Sequence, residues 1–421
     1  MNAENIPVLI AKVLNLQVIS RVIAFVTSII LARHLGVDLY GQYTAFFAQI
    51  SLLMIPVAAG LHPLIVREVS RRTSESEGKF SGAIYWSGLH FKAITLIIFS
   101  SLVFLDFMLG VDIFDGYLLI AISIIYFKSS VVFKAAIING FDKPVLSQLI
   151  SNVIGPLGMC TSLLLIYIYK SKLSYDEAIY SLFFASLLTW LICNNIYRLN
   201  FRRIKLPSEF NIHEVTEFYR TLWPFFLMAA VGALSNEVVI IALGDFHSFA
   251  EASYFTIGLQ AAYVILIIQN STNSVLMPKI SSNNSNFDLC NKLIKKSVRM
   301  TFVLAAPIFF TYVFFADVAV KYLYGIEYLN SVPILLILST AQMINILCGP
   351  VGVVMNMMGN EKITLKCQIY STMVGFGVSM TLLSGLGAYG VAIGVSLGLV
   401  IYNLVLCIIV KRKFGITTWI H

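Results

Sequence analysis

Long apolar runs, separated by short polar segments, extend over almost the whole chain. Each run has about 20 residues, the length that an α-helix needs to cross the hydrocarbon core of a bilayer. The pattern predicts an all-α polytopic membrane protein with twelve transmembrane helices. We place them at about residues 8–32, 40–61, 82–105, 116–138, 145–169, 176–198, 217–243, 251–275, 299–316, 330–357, 363–384 and 388–410.

The basic residues between these helices predict how the chain is oriented. Of the 29 lysines and arginines, 22 fall in segments that would lie on one side of the membrane and three lie within helices. The remaining four are on the other side: Arg33, Lys170, Lys172 and Lys321. Because cytoplasmic segments of membrane proteins carry the excess of positive charge, we predict that both termini are cytoplasmic.

Composition supports the membrane assignment. The chain is 58% hydrophobic and 12% charged, whereas soluble domains average about 45–50% and 25%. Its mean hydropathy is +0.84, and a soluble fold could not hide so much apolar surface. The net charge of +8 follows from membrane orientation, so we do not expect a nucleic-acid partner. The first apolar run is longer than the core of a secretory signal, which has about 7–15 residues, and we predict an uncleaved first helix.

Sequence motifs for cofactors are weak. The six cysteines lack metal-ligand or CxxC spacing, so neither disulfides nor a metal site is predicted. Gly385–Gly390 matches the GxGxxG pattern, but it lies between two predicted helices instead of after a strand. We interpret it as a tight hairpin. The glycines that follow, Gly390, Gly394 and Gly398, recur every four residues and predict close helix packing.

The two halves of the chain share three landmarks in the same order. They pair Leu35-Gly36 with Leu243-Gly244, Pro63 with Pro278, and Asn139–Lys143 with Met358–Lys362. Six helices per half give both halves the same orientation, which predicts a parallel repeat with the working site between the halves. We therefore predict an N-terminal lobe of residues 1–205 and a C-terminal lobe of residues 206–421.

The polar segment Arg33–Tyr43 interrupts the apolar pattern early in the chain. We predict that it is the external elbow that joins helices 1 and 2, and that its glycines, Gly36 and Gly41, let the two helices reverse. It is more typical of a turn that organises the lobe than of a binding site.

Charges inside the predicted helices point to a binding site. Arg21, Lys92 and Lys128 lie in helices 1, 3 and 4, where one charge costs about 2.5–3.5 kcal/mol to insert. We predict that they form an electropositive cavity for an anionic ligand. The alternatives are snorkelling to the interface or a structural ion pair. Arg33, at the external mouth, would be either a ligand contact or an interfacial anchor.

Helices 7 and 8 carry other candidate residues. Glu237 is the deep acidic residue of the predicted helices and is the candidate for a proton-coupling site. Gln260 and Asn270, together with Gln269, would hydrogen-bond either sugar hydroxyls or neighbouring helices.

Short motifs spread over the chain also indicate a family. They are Arg33 with Leu35-Gly36, Tyr40-Gly41-Gln42-Tyr43, Gly60 to Pro63 with Arg67-Glu68, Asn139-Gly140, Leu323-Tyr324-Gly325 with Tyr328, Gly359-Asn360 with Lys362, and Gly387–Ala392. In these motifs and in its helix count, the chain resembles the Wzx-type flippases of bacterial polysaccharide biosynthesis. That family belongs to the multidrug/oligosaccharidyl-lipid/polysaccharide exporter (MOP) superfamily.

The resemblance implies a MATE-like fold with two pseudo-symmetric six-helix lobes around a V-shaped central cavity. It implies a non-enzymatic flippase in the bacterial inner membrane. Such proteins move an undecaprenyl-diphosphate-linked oligosaccharide, such as an O-antigen repeat unit of lipopolysaccharide, from the cytoplasmic to the periplasmic leaflet by alternating access. The implied partners are this substrate, membrane lipids, and a polysaccharide polymerase with its chain-length regulator. No cofactor is expected.

Three alternatives remain open. A drug or organic-cation exporter of the same superfamily would carry acidic residues deep in the N-terminal lobe, where this chain has cations. A lipid II flippase would have two further helices. A membrane polysaccharide polymerase or glycosyltransferase would carry a sizeable extramembrane loop with catalytic residues.

Overall fold

The structure is a computed structural model that describes residues 6–72, 80–110, 114, 116–141, 143–170, 172–201, 212–234, 236–282 and 287–419. Within these residues the regular structure is entirely helical, which confirms the predicted all-α class. The α-helices are α1 (Ile6–Ala58), α2 (Leu61–Arg72), α3 (Phe80–Leu109), α4 (Leu118–Gly140), α5 (Pro144–Gln148), α6 (Ile154–Lys170), α7 (Tyr175–Phe201), α8 (Ile212–Leu234), α9 (Glu237–Phe246), α10 (Phe249–Ser282), α11 (Phe287–Leu323), α12 (Ser331–Cys348), α13 (Val351–Met357) and α14 (Glu361–Phe414). A π-helical turn, Leu149–Val153, joins α5 to α6, and a 3₁₀ turn, Ile326–Tyr328, precedes α12.

Ten helical stretches of the described chain are long and apolar enough to cross a membrane. Two of them, Asn15–Val66 and Glu361–Phe414, have 52 and 54 residues and would each be about 80 Å long if straight. Within α1 and within α14, one glycine with a positive φ, Gly36 at 76° and Gly387 at 53°, separates two helical arms. The ten stretches therefore comprise the twelve predicted crossing segments.

At Gly387 the chain reverses direction completely. A Cβ atom added to Gly390 would lie 2.6 Å from Cβ of Leu382, and one added to Gly398 would lie 3.0 Å from the carbonyl oxygen of Ser371. Residue numbers thus rise on one arm of α14 as they fall on the other, so the two arms form an antiparallel hairpin. The hairpin and the helix-packing role predicted for these glycines are confirmed.

The turn after the first helix is narrower than the predicted elbow. Gly36 alone departs from helical geometry, and residues 37–43 already belong to the second arm of α1. Gly41, predicted to be a turn glycine, is helical instead. A Cβ atom there would lie 1.8 Å from the carbonyl oxygen of Phe249. Gly41 therefore permits close packing against α10, and it does not help the chain to turn.

Two predicted helices are interrupted, and two predicted loops are partly helical. Gly60, with φ of 75°, ends α1, and α2 occupies part of the predicted loop at 62–81. Gly349, with φ of 78°, and Pro350 split the predicted helix 330–357 into α12 and α13. Likewise α8 and α9 replace the predicted helix 217–243. The predicted loop at 276–298 is also mostly helical, because α10 extends to Ser282 and α11 begins at Phe287.

The chain forms two compact units. Unit 1 comprises Met1–Leu35 and Phe46–Ala233, and unit 2 comprises Gly36–Ala45 and Leu234–His421. The second arm of α1 thus contributes its first turns to unit 2 and the rest to unit 1. The predicted lobe boundary between residues 205 and 206 lies outside the described residues, and the division into lobes 1–205 and 206–421 stays a prediction.

Each unit has its own apolar core. In unit 1, fully buried Leu61 and Ile65 of α2 pack with Ile137 of α4. In unit 2, fully buried Ile294 of α11 packs with Leu406 of α14, in a cluster that also includes α10 and α13. These buried faces hold the helices that carry the candidate site residues.

The Gly41 contact yields a stability prediction. Gly41→Ala places a methyl group against a backbone carbonyl that cannot rotate away, and we expect it to lower the free energy of unfolding by about 1–3 kcal/mol. The measurement is thermal unfolding of the purified protein in detergent. Unfolding is monitored as the loss of the monodisperse peak. Gly377→Ala is the matched control, since a Cβ atom there meets nothing within 4 Å. Equal midpoints for the two variants would contradict the close packing.

Candidate functional site

The four cations predicted to bind substrate all belong to unit 1. Arg21 and Arg33 lie on the first arm of α1 with exposed side chains, Lys92 lies on α3, and Lys128 lies on α4. Their membership of one unit agrees with the predicted concentration of positive charge in the N-terminal part of the chain. Their role as ligand contacts remains a prediction.

Arg21 follows a residue that anchors α1 to the π-helical turn. The Ser20 hydroxyl donates a hydrogen bond to the carbonyl oxygen of Asn152, 132 residues away. A π-helical turn displaces carbonyl groups from the regular helical pattern and leaves them available to such donors. The contact fixes the position of α1 beside Arg21.

Lys128 is half-buried and packs on an aromatic ring. Its Nζ atom lies 4.2 Å from the centroid of the Phe47 ring, on the second arm of α1. The negative face of an aromatic ring stabilises an ammonium group by about 0.5–2 kcal/mol. This contact offsets part of the desolvation cost of the lysine and keeps its charge at membrane depth.

Lys92 lines an open groove between α3 and α4. The groove has a volume of about 370 Å³ and is also lined by Thr95, Leu96, Phe99, Ile122, Ser123, Tyr126 and Phe127. The two helices are held together by Phe91, whose ring centroid lies 5.7 Å from that of Tyr126 and 5.9 Å from that of Phe133. Lys92 is therefore the cationic residue of a largely aromatic and aliphatic groove.

Two polar contacts inside unit 1 were not identified from the sequence. Buried His90 on α3 has its Nε2 atom 3.1 Å from the Pro56 carbonyl oxygen and its Nδ1 atom 3.2 Å from the Tyr219 hydroxyl. Lys134, assigned to the cytoplasmic surface from the sequence, is half-buried, and its Nζ donates to Oδ1 of Asn194 at 3.1 Å. The signal available for His90 was a polar residue within an apolar run.

The acidic candidate, Glu237, does not lie within one continuous helix as predicted. It is the first residue of α9, immediately after the interruption that follows α8. Backbone N–H groups point out of a helix at its N-terminus, and the helix dipole there stabilises a negative charge. The break in the predicted helix thus places this carboxyl group in the first turn of α9.

The polar candidates of α10 have different environments. Gln260 donates from Nε2 to the Tyr40 hydroxyl at 3.4 Å, which is a contact between helices, whereas the Asn270 side chain is exposed. Buried Gln269 forms a reciprocal pair with Asn345 of α12, with N···O distances of 3.1 and 2.8 Å. Gln260 and Gln269 therefore make the inter-helix hydrogen bonds that the sequence offered as one interpretation.

Two motifs on which the family resemblance rested meet in unit 2. The Tyr40 ring lies 6.5 Å from that of Tyr43 and 6.4 Å from that of Tyr328, and Tyr324 lies 6.0 Å from Tyr328. Burial raises the pKa of the Tyr328 phenol. These tyrosines contribute to packing.

The first turns of α10 contact both the start of the second arm of α1 and the motif Gly387–Ala392. The Ser253 hydroxyl donates to the Val37 carbonyl oxygen at 2.6 Å, and the Glu251 carboxylate accepts from the Ala388 N–H at 2.7 Å. The second contact caps the hairpin at Gly387. These three motifs thus contribute to the scaffold of unit 2.

A comparison with protein families agrees with this architecture. The model described as "Polysaccharide biosynthesis protein" matches residues 10–284, nearly two thirds of the chain. The chain belongs to this polysaccharide biosynthesis protein family. It is also similar to the probable low-salt glycan biosynthesis flippase Agl15 of Haloferax volcanii. That relative is 20% identical over 372 residues, which are 87% of this chain and 75% of the relative.

Solved structures show the fold of this polysaccharide biosynthesis protein. The lipid II flippase MurJ in an inward closed conformation matches with a TM-score of 0.74 and 17% identity, covering 96% of this chain and 87% of MurJ. An inward-facing MATE multidrug resistance transporter of the MOP superfamily matches with a TM-score of 0.69 and 16% identity, covering 94% of each chain. These structures confirm the predicted fold, and the family match confirms that the chain belongs to a polysaccharide biosynthesis family.

The buried amide pair of unit 2 yields a second prediction. Asn345→Leu leaves the Gln269 amide buried without its partner, and we expect a loss of about 1–3 kcal/mol of stability. The double variant Gln269→Leu/Asn345→Leu removes both polar groups and should recover most of that loss. Thermal unfolding of the two single variants and the double variant measures the coupling. Additive losses would show that the pair does not act as a unit.

Proposed function

We propose that this protein is a flippase that translocates an undecaprenyl-diphosphate-linked oligosaccharide, such as an O-antigen repeat unit, from the cytoplasmic to the periplasmic leaflet of a bacterial inner membrane. The proposed mechanism is alternating access without a covalent intermediate. Both termini would be cytoplasmic, and the product would pass to a polysaccharide polymerase and its chain-length regulator. Membership of a polysaccharide biosynthesis family and similarity to a probable glycan biosynthesis flippase support this substrate class.

The observation that carries the proposal is the charge of the membrane-spanning helices of unit 1. Arg21, Lys92 and Lys128 lie well inside the apolar stretches Asn15–Val66, Ile84–Met108 and Leu118–Gly140. A cation at this depth is costly and is typical of a site for an anionic substrate. A diphosphate has the complementary charge, and its apolar chain can remain in lipid while the sugars cross.

A drug or organic-cation exporter is the second candidate, because MATE transporters share the fold. Cationic drugs would be expected to require deep acidic residues in unit 1. In the described spans that unit 1 contributes to, Asp106, Asp176 and Glu177 lie within three residues of a span end, and Asp38 lies two residues after the turn at Gly36. The distribution of charge favours an anionic substrate.

A membrane polymerase or glycosyltransferase is the candidate from a different functional class. A deletion strain separates it from a flippase. Loss of a flippase should leave unpolymerised lipid-linked repeat units in the inner leaflet, whereas loss of a polymerase should leave them in the outer leaflet. Accumulation in the outer leaflet would contradict the proposed function.

The proposed cation site predicts the effect of two substitutions. Arg21→Ala and Lys128→Ala each remove one charge-assisted contact to the diphosphate, which is worth about tenfold or more in binding. We expect both variants to lose surface polysaccharide while protein levels in the membrane stay normal. The assay is polysaccharide extraction from a complemented deletion strain, with immunoblotting of the membrane fraction.

Two control variants test whether charge at these positions is the cause. Lys128→Arg keeps the charge and should retain most of the polysaccharide. Lys321→Ala removes an exposed lysine near the end of α11 and should be neutral. Wild-type polysaccharide in both Arg21→Ala and Lys128→Ala would exclude the proposed anionic site.

Glu237 is our candidate for proton coupling. We expect Glu237→Gln to abolish the stimulation of flipping by an imposed proton gradient, because an amide cannot bind and release the proton. The measurement uses proteoliposomes with a fluorescent lipid-linked oligosaccharide, with and without a pH step. Basal flipping without a gradient is the internal control, and an unchanged response to the gradient would remove Glu237 from the mechanism.

A further inference from the structure

The groove between α3 and α4 combines an unusual cation with apolar walls. Lys92 is exposed on α3, about 12 Å along the helix axis from the start of the span at Ile84. In the part of the chain that the structure describes, its ammonium group forms no ion pair and no hydrogen bond. A lysine at such a depth requires either a route to water or an anionic ligand.

The rest of the groove offers little for a polar ligand. The Thr95 hydroxyl donates to the Phe91 carbonyl oxygen at 2.6 Å, and the Ser123 hydroxyl donates to the Leu119 carbonyl oxygen at 2.7 Å. Each hydroxyl therefore bonds the backbone of its own helix. The remaining lining residues are aliphatic or aromatic side chains.

The groove is polar at one end only. Lys92 and Phe99 are seven residues apart on α3, which corresponds to about 10 Å along the helix. The helix α4 runs beside α3. Its Tyr126 ring contacts the ring of Phe91, which is next to Lys92 on α3. Apolar side chains, including Leu96 and Phe99, continue from the level of Lys92 towards the other end of the groove.

We propose that this groove binds the first isoprene units of a polyprenyl phosphate, with the phosphate on Lys92. Charge complementarity places the anion at the Lys92 end, and the apolar walls then take the chain that leaves it. A groove between two adjacent helices accommodates one chain in single file, which suits a polyprenyl lipid better than a phospholipid with two acyl chains. The proposal rests on the proposed function and names the part of the substrate that this groove holds.

The predicted topology agrees with capture of the substrate from the cytoplasmic leaflet. The span that contains Lys92 begins at Ile84, on the side with the excess of basic residues. A phosphate at Lys92 would then lie towards the cytoplasmic interface, and its chain would extend towards the centre of the bilayer. This is the orientation of the lipid before translocation.

Photolabelling tests the groove directly. The probe is a short polyprenyl phosphate with a diazirine on its first isoprene unit, added to the full-length protein in nanodiscs. We expect labelled peptides from α3 and α4, and competition by unlabelled polyprenyl phosphate but not by phosphatidic acid. Lys92→Gln should reduce this labelling about tenfold, the effect of one charged contact, and Lys92→Arg should restore it.

A pair of matched variants tests the apolar wall. Leu96→Trp fills the groove and should reduce labelling of α3 and α4. Leu165→Trp makes the same change on α6 at a leucine of similar exposure, 67% compared with 65% for Leu96, and should leave labelling unchanged. Folding of every variant is checked by thermal unfolding in the same nanodiscs.

The outcomes distinguish this proposal from the proposed function. Labelling outside α3 and α4, equal competition by phosphatidic acid, or equal labelling of the Leu96→Trp and Leu165→Trp variants would overturn the groove assignment. Flipping of lipid-linked oligosaccharide by the wild-type protein is measured separately in proteoliposomes. Specific labelling without flipping would support the groove assignment and overturn the proposed function. Flipping without specific labelling would support the proposed function and overturn the groove assignment.

Discussion

Residues 37–45 pack against the first turns of α10 so closely that no side chain fits between the two backbones at Gly41. This contact determines much of unit 2. It places Tyr40 in the tyrosine cluster with Tyr328, and its partner Phe249 lies two residues before Glu251, whose carboxylate caps the hairpin of α14. Three segments that are distant in the sequence are therefore positioned by one short stretch of helix.

Hydropathy identified the crossing segments but not the way in which they end. The apolar run continues across Gly349, so a window of 20 residues records one helix where a positive φ makes two. Conversely, the polar residues of Val37–Tyr43 predicted a turn where the chain is helical. Backbone conformation at single glycines depends on tertiary contacts, and the pattern of apolar residues carries little information about it.

The candidate site was predictable as a set of residue types and not as an arrangement. A charge in an apolar run is visible in the sequence because its insertion cost is high, which is how Arg21, Lys92 and Lys128 were chosen. The partners that offset the cost are not visible, since Phe47 lies 81 residues before Lys128 and is one of 30 phenylalanines. Glu237 appeared to lie within one continuous helix, because the break before α9 has no strong local signal.

The contact between Val37 and Ser253 joins residues that are 216 positions apart. Ribosomes add about 5–20 residues per second, so the second arm of α1 waits about 10–40 s in the membrane before its partner is made. During that interval the bare backbone at Gly41 and the Tyr40 ring lack the surface on which they finally pack. Packing of this part of unit 2 therefore waits for α10, and the second arm of α1 must remain stable in lipid without its partner until residue 253 has been synthesised.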